Sequence, residues 1–510
     1  MPAPLQRAFL LALALTLLAA GTAAARGRTT VGSALAKLVQ SGAIAQSAYE
    51  SDLAVYGAAH RSLTRLSGTR RIELGDVLGN VEAMAAKGLF IPSRLAVVFL
   101  TLQRNREWWT TKPLLSSGQR VGFPPSRLVW EHYPGQGIEI QWLASFGAAN
   151  GYYLSHQTTA LKELLSEAIA LATQRAGGIA WEYMFHFDGG SPPWTSGLSQ
   201  GTALQALSRA WSRTHEAQYL TAAQQALGIF RAGPAAGVRV PTAAGAHYLE
   251  YTYAPGERII NGFIQALVGL YEYAKLTGDP VGQELFAAGD AQARSELPRF
   301  DTGAWSMYDQ HSESDLGYHE LLLEFLEHLC ERARQGEPLG PTGQIPGDEV
   351  YCTTAQRFKE DLTTPPAIEL LTSVLHTEER AGVRVRLSKV STVSLTISLG
   401  AKTVWTNRAT VEGGRPRLLW VTPSKPGSYD VVLKAVDLAG NEEVATGAIT
   451  VKRTARRRGK KAARAGSRQP AEAAISMPTS RPARRLAMSR PARFSMSLPA
   501  RRLPTSRPAR

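Results

Sequence analysis

Apolar residues recur at helical spacing over most of this chain and alternate with polar ones near its C-terminal end. Leu35, Leu38 and Val39 open one helical face, and Leu74, Val77, Leu78, Val81 and Met84 form a second. Pro92 breaks the run and Leu95 to Leu102 resumes it, so residues 26–112 read as a helical region, a hairpin or small bundle. Residues 113–145 change grammar. Gly118, Gly122, Pro124, Pro125, Pro134, Gly135 and Gly137 punctuate short apolar runs such as Leu128-Val129-Trp130 and Ile138-Glu139-Ile140, which predicts turns and strands. Tyr133-Pro134-Gly135-Gln136-Gly137 reads equally as a substrate-contacting loop or a plain tight turn.

From 146 to 335 the helical period returns in five faces: Leu161 to Ala172, Leu204 to Trp211, Tyr219 to Phe230, Phe263 to Ala274 and Leu321 to Leu329. Small residues at contact positions and short Gly, Pro or Asp loops fit antiparallel helix packing, as a bundle or as part of an (α/α) toroid. Residues 336–365 form a Gly/Pro-rich connection with a short helical return at Phe358–Leu362. Beyond Pro365-Pro366 the period becomes two. Val383, Val385 and Leu387 alternate with polar residues, as do Val393, Leu395 and Ile397, then Tyr429, Val431 and Leu433, with turn signals at Gly413-Gly414, Pro426-Gly427 and Gly440-Asn441. Residues 367–452 therefore read as a small β-sandwich.

The two ends are of another kind. Arg7, the apolar run Phe9 to Ala20 and Ala23-Ala24-Ala25 make residues 1–25 a signal peptide, with a retained anchor as the other reading. The expected localisation is secreted or extracytoplasmic. The net charge of +15 is concentrated in the tail: residues 452–510 hold eighteen Lys/Arg against one acid, Glu472, so the rest carries about −2. Ser-Arg-Pro-Ala-Arg recurs at 480–484, 489–493 and 506–510, and such a sequence cannot bury a core, so 453–510 is expected to be a disordered basic tail. It suits an anionic wall or envelope polymer, and export argues against a specific nucleic-acid role. Cys330 and Cys352 are the only cysteines; in an oxidising compartment they are a disulfide candidate, worth about 3 kcal/mol on the chain-entropy model. Two cysteines far apart make no metal site.

Chemistry-bearing residues cluster in two blocks between helices. The first is His247-Tyr248-Leu249-Glu250-Tyr251, followed by Asn261-Gly262-Phe263. The second runs from Phe300-Asp301-Thr302-Gly303 through Tyr308-Asp309 to Tyr318-His319. Their order and spacing, with Trp194 and the Ser199-Gln200-Gly201 segment before them, resemble the C-terminal domain of the D-glucuronyl C5-epimerases over roughly residues 125–335. The resemblance implies an incomplete (α/α) toroid over 146–365, no cofactor, and an acidic polysaccharide substrate in which C5 of D-glucuronate is inverted to L-iduronate, as in a heparosan-like polymer. It implies Glu250 and Tyr318 as proton-transfer groups, with Tyr251 and Tyr308 supporting the reacting centre. Asn261, His319, Asp301, Arg258, Gln200 and Trp194 are the substrate-binding candidates. The segment around Pro426-Gly427-Ser428-Tyr429 and Val436 to Asn441 resembles bacterial immunoglobulin-like domains.

These roles fit the chemistry. The hydrogen on C5 lies α to a carboxylate and is weakly acidic, so its removal leaves an enolate-like dianion that must be stabilised as it forms. Inversion needs one group on each face of the sugar. The ordinary pKa values, about 4.3 for Glu and about 10 for Tyr, require tuning by surroundings. The sequence departs from the family at three places. Leu249 replaces the first glutamate of Glu-Glu-Tyr, Leu322 replaces a histidine three residues beyond His319, and Tyr308-Asp309-Gln310-His311 lacks the family's arginine. Arg258 and Arg299 are the candidates to replace it. A polysaccharide lyase sharing the first proton abstraction, and a non-catalytic envelope glycan-binding protein, are the competing readings. A homodimer is left open.

Overall fold

The computed structural model describes residues 29–334 and 349–454. The expected signal peptide and almost all of the basic tail lie outside the described residues. Among the described residues no helix is long and apolar enough to cross a membrane. The chain divides into two compact units between Thr195 and Ser196. This division falls fifty residues beyond the change of grammar at 145.

The first unit opens with four helices, α1 (Val31–Gln40), α2 (Gln46–Leu63), α3 (Gly68–Ala86) and α4 (Pro92–Thr111). Pro92 starts α4 at its first turn, where its missing N–H costs nothing, rather than merely interrupting a helix. A three-stranded antiparallel meander follows: β1 (Arg120–Val121), β2 (Trp130–Tyr133) and β3 (Gly137–Ile140). Asn105 of α4 binds β3 as a strand would, accepting from the Ile138 N–H and donating to its carbonyl, both at 2.7 Å. The Tyr133–Gly137 segment is a tight turn. The N–H groups of Gly135 and Gly137 donate to the Glu73 carboxylate, the latter at 2.9 Å, so this loop's donors are used within the protein. Two helices, α5 (Trp142–Leu154) and α6 (Thr158–Ala170), and a hairpin, β4 (Thr173–Arg175) with β5 (Gly178–Ala180), complete the unit. That hairpin was not foreseen, because three-residue strands carry too little alternation to show. Buried Glu182 is held by Arg94 at 2.6 and 3.0 Å and by Arg175 at 2.6 Å.

The second unit begins with α7 (Gly197–Thr214), α8 (Ala217–Ala226) and the short α9 (Gly228–Arg231), where sequence reading saw one face from Tyr219 to Phe230. An unforeseen hairpin, β6 (Arg239–Pro241) with β7 (Ala246–Tyr248), leads to α10 (Ile260–Thr277) and α11 (Pro280–Glu296). Their junction is legible residue by residue: Gly278 caps α10, the Asp279 carboxylate accepts the Val281 N–H at 2.8 Å, and Pro280 opens α11. After α12 (Leu316–Arg334) comes α13 (Glu349–Asp361), longer than the short return expected at Phe358–Leu362. Cys330 of α12 and Cys352 of α13 are joined by a disulfide.

The C-terminal β region has two sheets around one core. One sheet has β13 (Arg417–Val421), β10 (Arg380–Leu387) and β8 (Ile368–Leu370) in that order. The other runs β12 (Lys402–Val411), β11 (Ser391–Leu399), β14 (Gly427–Asp437), β15 (Glu442–Lys452) and β9 (Val374–His376), with β9 parallel to β15. The inward positions are the alternating ones: Val383, Val385, Leu387, Val393, Leu395, Ile397, Tyr429, Val431 and Leu433 meet Trp420 in a common core. β12 has only half-buried positions on its inner face, so its alternation is weak in sequence.

In the second unit α7 and α10 approach each other backbone to backbone. A Cβ on Gly269 would lie 2.0 Å from the Gly201 carbonyl oxygen, and a Cβ on Gly201 would lie 2.6 Å from the Ala266 Cα. Only glycine permits backbones this close. Gly269→Ala must therefore push the helices apart, and the expected cost is about 2 kcal/mol or more. Thermal unfolding measures it; an unchanged midpoint would show that the two backbones are not in contact.

Candidate functional site

Glu250 lies two residues beyond the end of β7. Its backbone carbonyl and that of Leu249 accept from Gly197 N–H at the start of α7, at 3.1 and 3.2 Å. Its side chain lies against the first turn of α10: a Cβ on Gly262 would meet the Glu250 Oε2 atom at 2.5 Å. Glu250 is 5% exposed, and Oε2 has no hydrogen-bond partner among the described residues. Burial, only partly opposed by a hydrogen bond from Tyr251, pushes its carboxyl up to about 7. A carboxylate with one oxygen unused and a pKa near neutrality has the properties of a general base.

Tyrosines surround it. The Tyr251 hydroxyl donates to Glu250, and burial first, then the Glu250 charge, hold its pKa well above the usual phenol range, so it stays a neutral donor. Tyr251 stacks on Tyr253 with ring centroids 5.3 Å apart and planes 12° apart. Tyr251 and Tyr308 lie close enough for their charges to interact. Tyr308 meets Tyr318, ring centroids 4.8 Å apart. Thus Glu250, Tyr251, Tyr308 and Tyr318 come together from three separate segments. Tyr253 joins them and was missed; its place two residues after Tyr251, in the turn that follows, was the available signal.

Tyr308 rides on a narrow loop. Asp301 pairs with Ser306, Met307 pairs with Glu313, and Tyr308 N–H donates to the Ser312 carbonyl at 2.8 Å. Tyr308 in turn accepts from Ile260 N–H at 3.2 Å, joining this loop to α10. Tyr318 sits in the first turn of α12, where Asp315 caps its N–H at 2.9 Å.

The other sequence candidates divide differently. His319 is fully buried with both ring nitrogens in use: Nδ1 accepts from Ser306 N–H at 3.2 Å, and Nε2 donates to the Phe358 carbonyl at 2.9 Å. Burial lowers its pKa to about 4, and its ring stacks on Trp305 at 3.8 Å. It is a structural histidine, not a substrate ligand. Asp301 is likewise structural, accepting from Gly303 N–H at 2.7 Å and pairing with Arg357 at 2.6 Å. Trp194 is a core residue of the first unit, stacked on Tyr183 at 4.3 Å, its indole N–H donating to the Phe185 carbonyl. Gln200 is fully buried within α7, and Asn261 accepts from its neighbour Gly262 N–H at 3.0 Å. Arg258 stays near the cluster, on the loop before α10, its guanidinium donating to the carbonyls of Pro255 and Glu257. Gln310, close to where the family has arginine, bridges that loop, accepting from Arg258 N–H at 2.9 Å and donating to the Gly256 carbonyl at 2.8 Å. Arg299 is exposed. Among the described residues no group of three or more His, Cys, Asp or Glu is placed to hold a metal ion.

Gly262 supplies a direct test of this packing. Alanine favours a helix over glycine by about 1 kcal/mol. Its methyl group would nonetheless displace the Glu250 carboxylate. Gly262→Ala should keep its unfolding midpoint while turnover falls about tenfold or more. Retained turnover would show that Glu250 does not depend on this contact.

Comparison with known proteins bears on the same segment. Residues 175–337 match the family described as D-glucuronyl C5-epimerase C-terminus. The chain is 33% identical over 131 residues to the D-glucuronyl C5-epimerase of Caenorhabditis elegans, covering 23% of this chain and 21% of that protein. It is 28% identical over 138 residues to an uncharacterized protein of Methanocaldococcus jannaschii, covering 26% of this chain and 45% of that one. The match therefore spans about a fifth of the nematode protein and under half of the archaeal one. Among solved structures, an endo-beta-1,4-glucanase from Acetobacter xylinum superposes with a TM-score of 0.29 at 10% identity, over 43% of this chain and 80% of that one, too loosely to carry an argument. The Glu250 and tyrosine cluster lies inside residues 175–337, the segment of this chain that matches the D-glucuronyl C5-epimerase C-terminus family.

Proposed function

We propose that this protein is a secreted polysaccharide epimerase that inverts C5 of D-glucuronate units to L-iduronate, with its helical hairpins forming part of an incomplete (α/α) toroid. The single observation that carries the reading is Glu250: a buried carboxylate with a free oxygen, its pKa pushed up to about 7, beside three tyrosines in the family-matched segment. In the forward direction Glu250 takes the C5 proton, and the C–H electron pair moves into the sugar carboxylate as an enolate-like dianion. Tyr251 and Tyr308 donate hydrogen bonds to the oxygens where that charge develops. Tyr318 returns a proton to C5 from the opposite face and is re-protonated by solvent, to which Glu250 in turn releases the proton it took. Arg258, on the loop held by Gln310, is the candidate partner for the uronate carboxylate, since a guanidinium fork matches it. The basic tail would add capture of long polyanions.

The protein in heavy water with a glucuronate-containing polymer should place deuterium at C5 and form iduronate. Unsaturated chain ends without iduronate would make it a lyase, and no exchange on several uronate polymers would leave glycan binding alone. Glu250→Gln and Tyr318→Phe, each nearly isosteric, should lower turnover about 10²-fold. Near-wild-type rates in folded variants would remove those residues from the mechanism.

The pH dependence follows from the sign of the Glu250 shift. A base must be deprotonated, and burial keeps Glu250 protonated below about 7. The kcat/KM profile should therefore rise with pH along a limb centred near pH 7. A limb in the ordinary carboxylate range, near about 4.3, would show an exposed base and contradict the buried one.

A further inference from the structure

We propose that the β-sandwich is a working part of this site, with Glu313 and Lys389 as the positioning residues that hold Tyr308 and Tyr318 in place. The proposal rests on the epimerase reading above.

Glu313 ends the strand-like pairing of the loop that carries Tyr308, opposite Met307. Its side chain leaves that loop and enters the sandwich. Oε2 accepts from Gly413 N–H at 2.7 Å, between β12 and β13. The fit is close: a Cβ on Gly413 would lie 3.0 Å from the Glu313 Oε1 atom and 3.1 Å from the Ser388 carbonyl oxygen. Glu313 is 9% exposed, and burial raises its pKa. A carboxylate buried against a neighbouring module holds its loop through a charge-assisted hydrogen bond, a stronger kind than a neutral one.

Lys389 makes the second connection, from the turn between β10 and β11. Its side chain is 1% exposed, and its ammonium is fully used. It pairs with Asp437 of β14 at 2.7 Å and donates to the carbonyls of Asp361 at 2.7 Å and Thr364 at 2.5 Å. The first of those carbonyls ends α13, where a cation meets the negative end of a helix. The same ammonium lies 5.3 Å from the centre of the Trp305 ring, and Trp305 stacks on His319, next to Tyr318. His319 also donates to the Phe358 carbonyl in α13. Asn441, at the turn after β14, adds a bond to the Leu362 carbonyl at 2.9 Å. One line of contacts thus runs from the sandwich through Glu313 to Tyr308. A second runs through Lys389, Trp305 and His319 to Tyr318. Both tyrosines lie on segments that otherwise end in loops, and proton transfer tolerates little misplacement.

The test uses the full chain with Glu313→Ala and Glu313→Gln. Glutamine keeps a side-chain oxygen for the Gly413 N–H; alanine does not. In Glu313→Ala, amide hydrogen exchange of residues 301–314 should speed about tenfold or more while α7 and α10 stay protected. On a glucuronate oligosaccharide kcat should fall about 10- to 100-fold, with KM within about twofold of wild type. Glu313→Gln should restore most of both. Lys389→Met, which leaves Asp437 without its cation, should give the same split wherever it folds. Unchanged exchange in the loop overturns the proposal. So does a freed loop with unchanged kcat, or a rise in KM alone, which would make the sandwich a substrate-binding adjunct. If wild-type protein exchanges no C5 proton on any uronate polymer, the epimerase reading fails. The amide-exchange comparison then still decides whether the sandwich holds the loop.

Discussion

The backbone contact of α7 with α10 is the constraint on which the second unit is built. Gly201, Ala266 and Gly269 let two helices meet without intervening side chains. That approach sets both walls around Glu250. The first N–H of α7, from Gly197, holds the carbonyls of Leu249 and Glu250, while the first turn of α10 backs the carboxylate at Gly262. A larger residue at any of these positions would separate the walls and admit water to the carboxyl. Its pKa near 7 depends on that exclusion.

Around this pair the Glu250 and tyrosine cluster is drawn from a strand end, a loop and a helix start. Glu250 and Tyr251 follow a three-residue strand, Tyr308 rides on a narrow loop, and Tyr318 opens a helix. Loops of this kind need external support, and the polar groups that supply it are mostly buried. His319 and Asp301 spend their hydrogen-bonding capacity on the protein itself, and Glu313 commits its Oε2 atom to Gly413 N–H. The histidine and aspartate of the family-like motif are thus better understood as scaffold. Glu250 keeps one carboxylate oxygen without a hydrogen-bond partner among the described residues.

In the first unit polar burial serves the fold. Asn105 completes β3 as a surrogate strand, and Glu73 closes the turn before it. Glu182 binds two arginines. Asn105, Glu73 and Glu182 each have their partners close by, as buried polar groups require.

The sequence by itself determined the element types wherever a period ran long enough. The helices around Leu74–Met84, Leu204–Trp211, Phe263–Ala274 and Leu321–Leu329 and the strands around Val383–Leu387, Val393–Ile397 and Tyr429–Leu433 follow from spacing of apolar residues, because burial of one face dictates that spacing. Order and spacing also marked Glu250, Tyr251, Tyr308 and Tyr318. Three-residue strands were not legible, since a single alternation is indistinguishable from chance. Tertiary structure alone decided which marked residues face one another and which are consumed by packing. His319 and Tyr318 are adjacent in the chain, yet one is locked between Ser306 and Phe358 while the other meets Tyr308. Likewise Lys389 and Glu313 look like ordinary surface charges in sequence. Their burial follows from the docking of a sandwich turn against α13 and the tyrosine loop, contacts between residues scores of positions apart that no local pattern encodes.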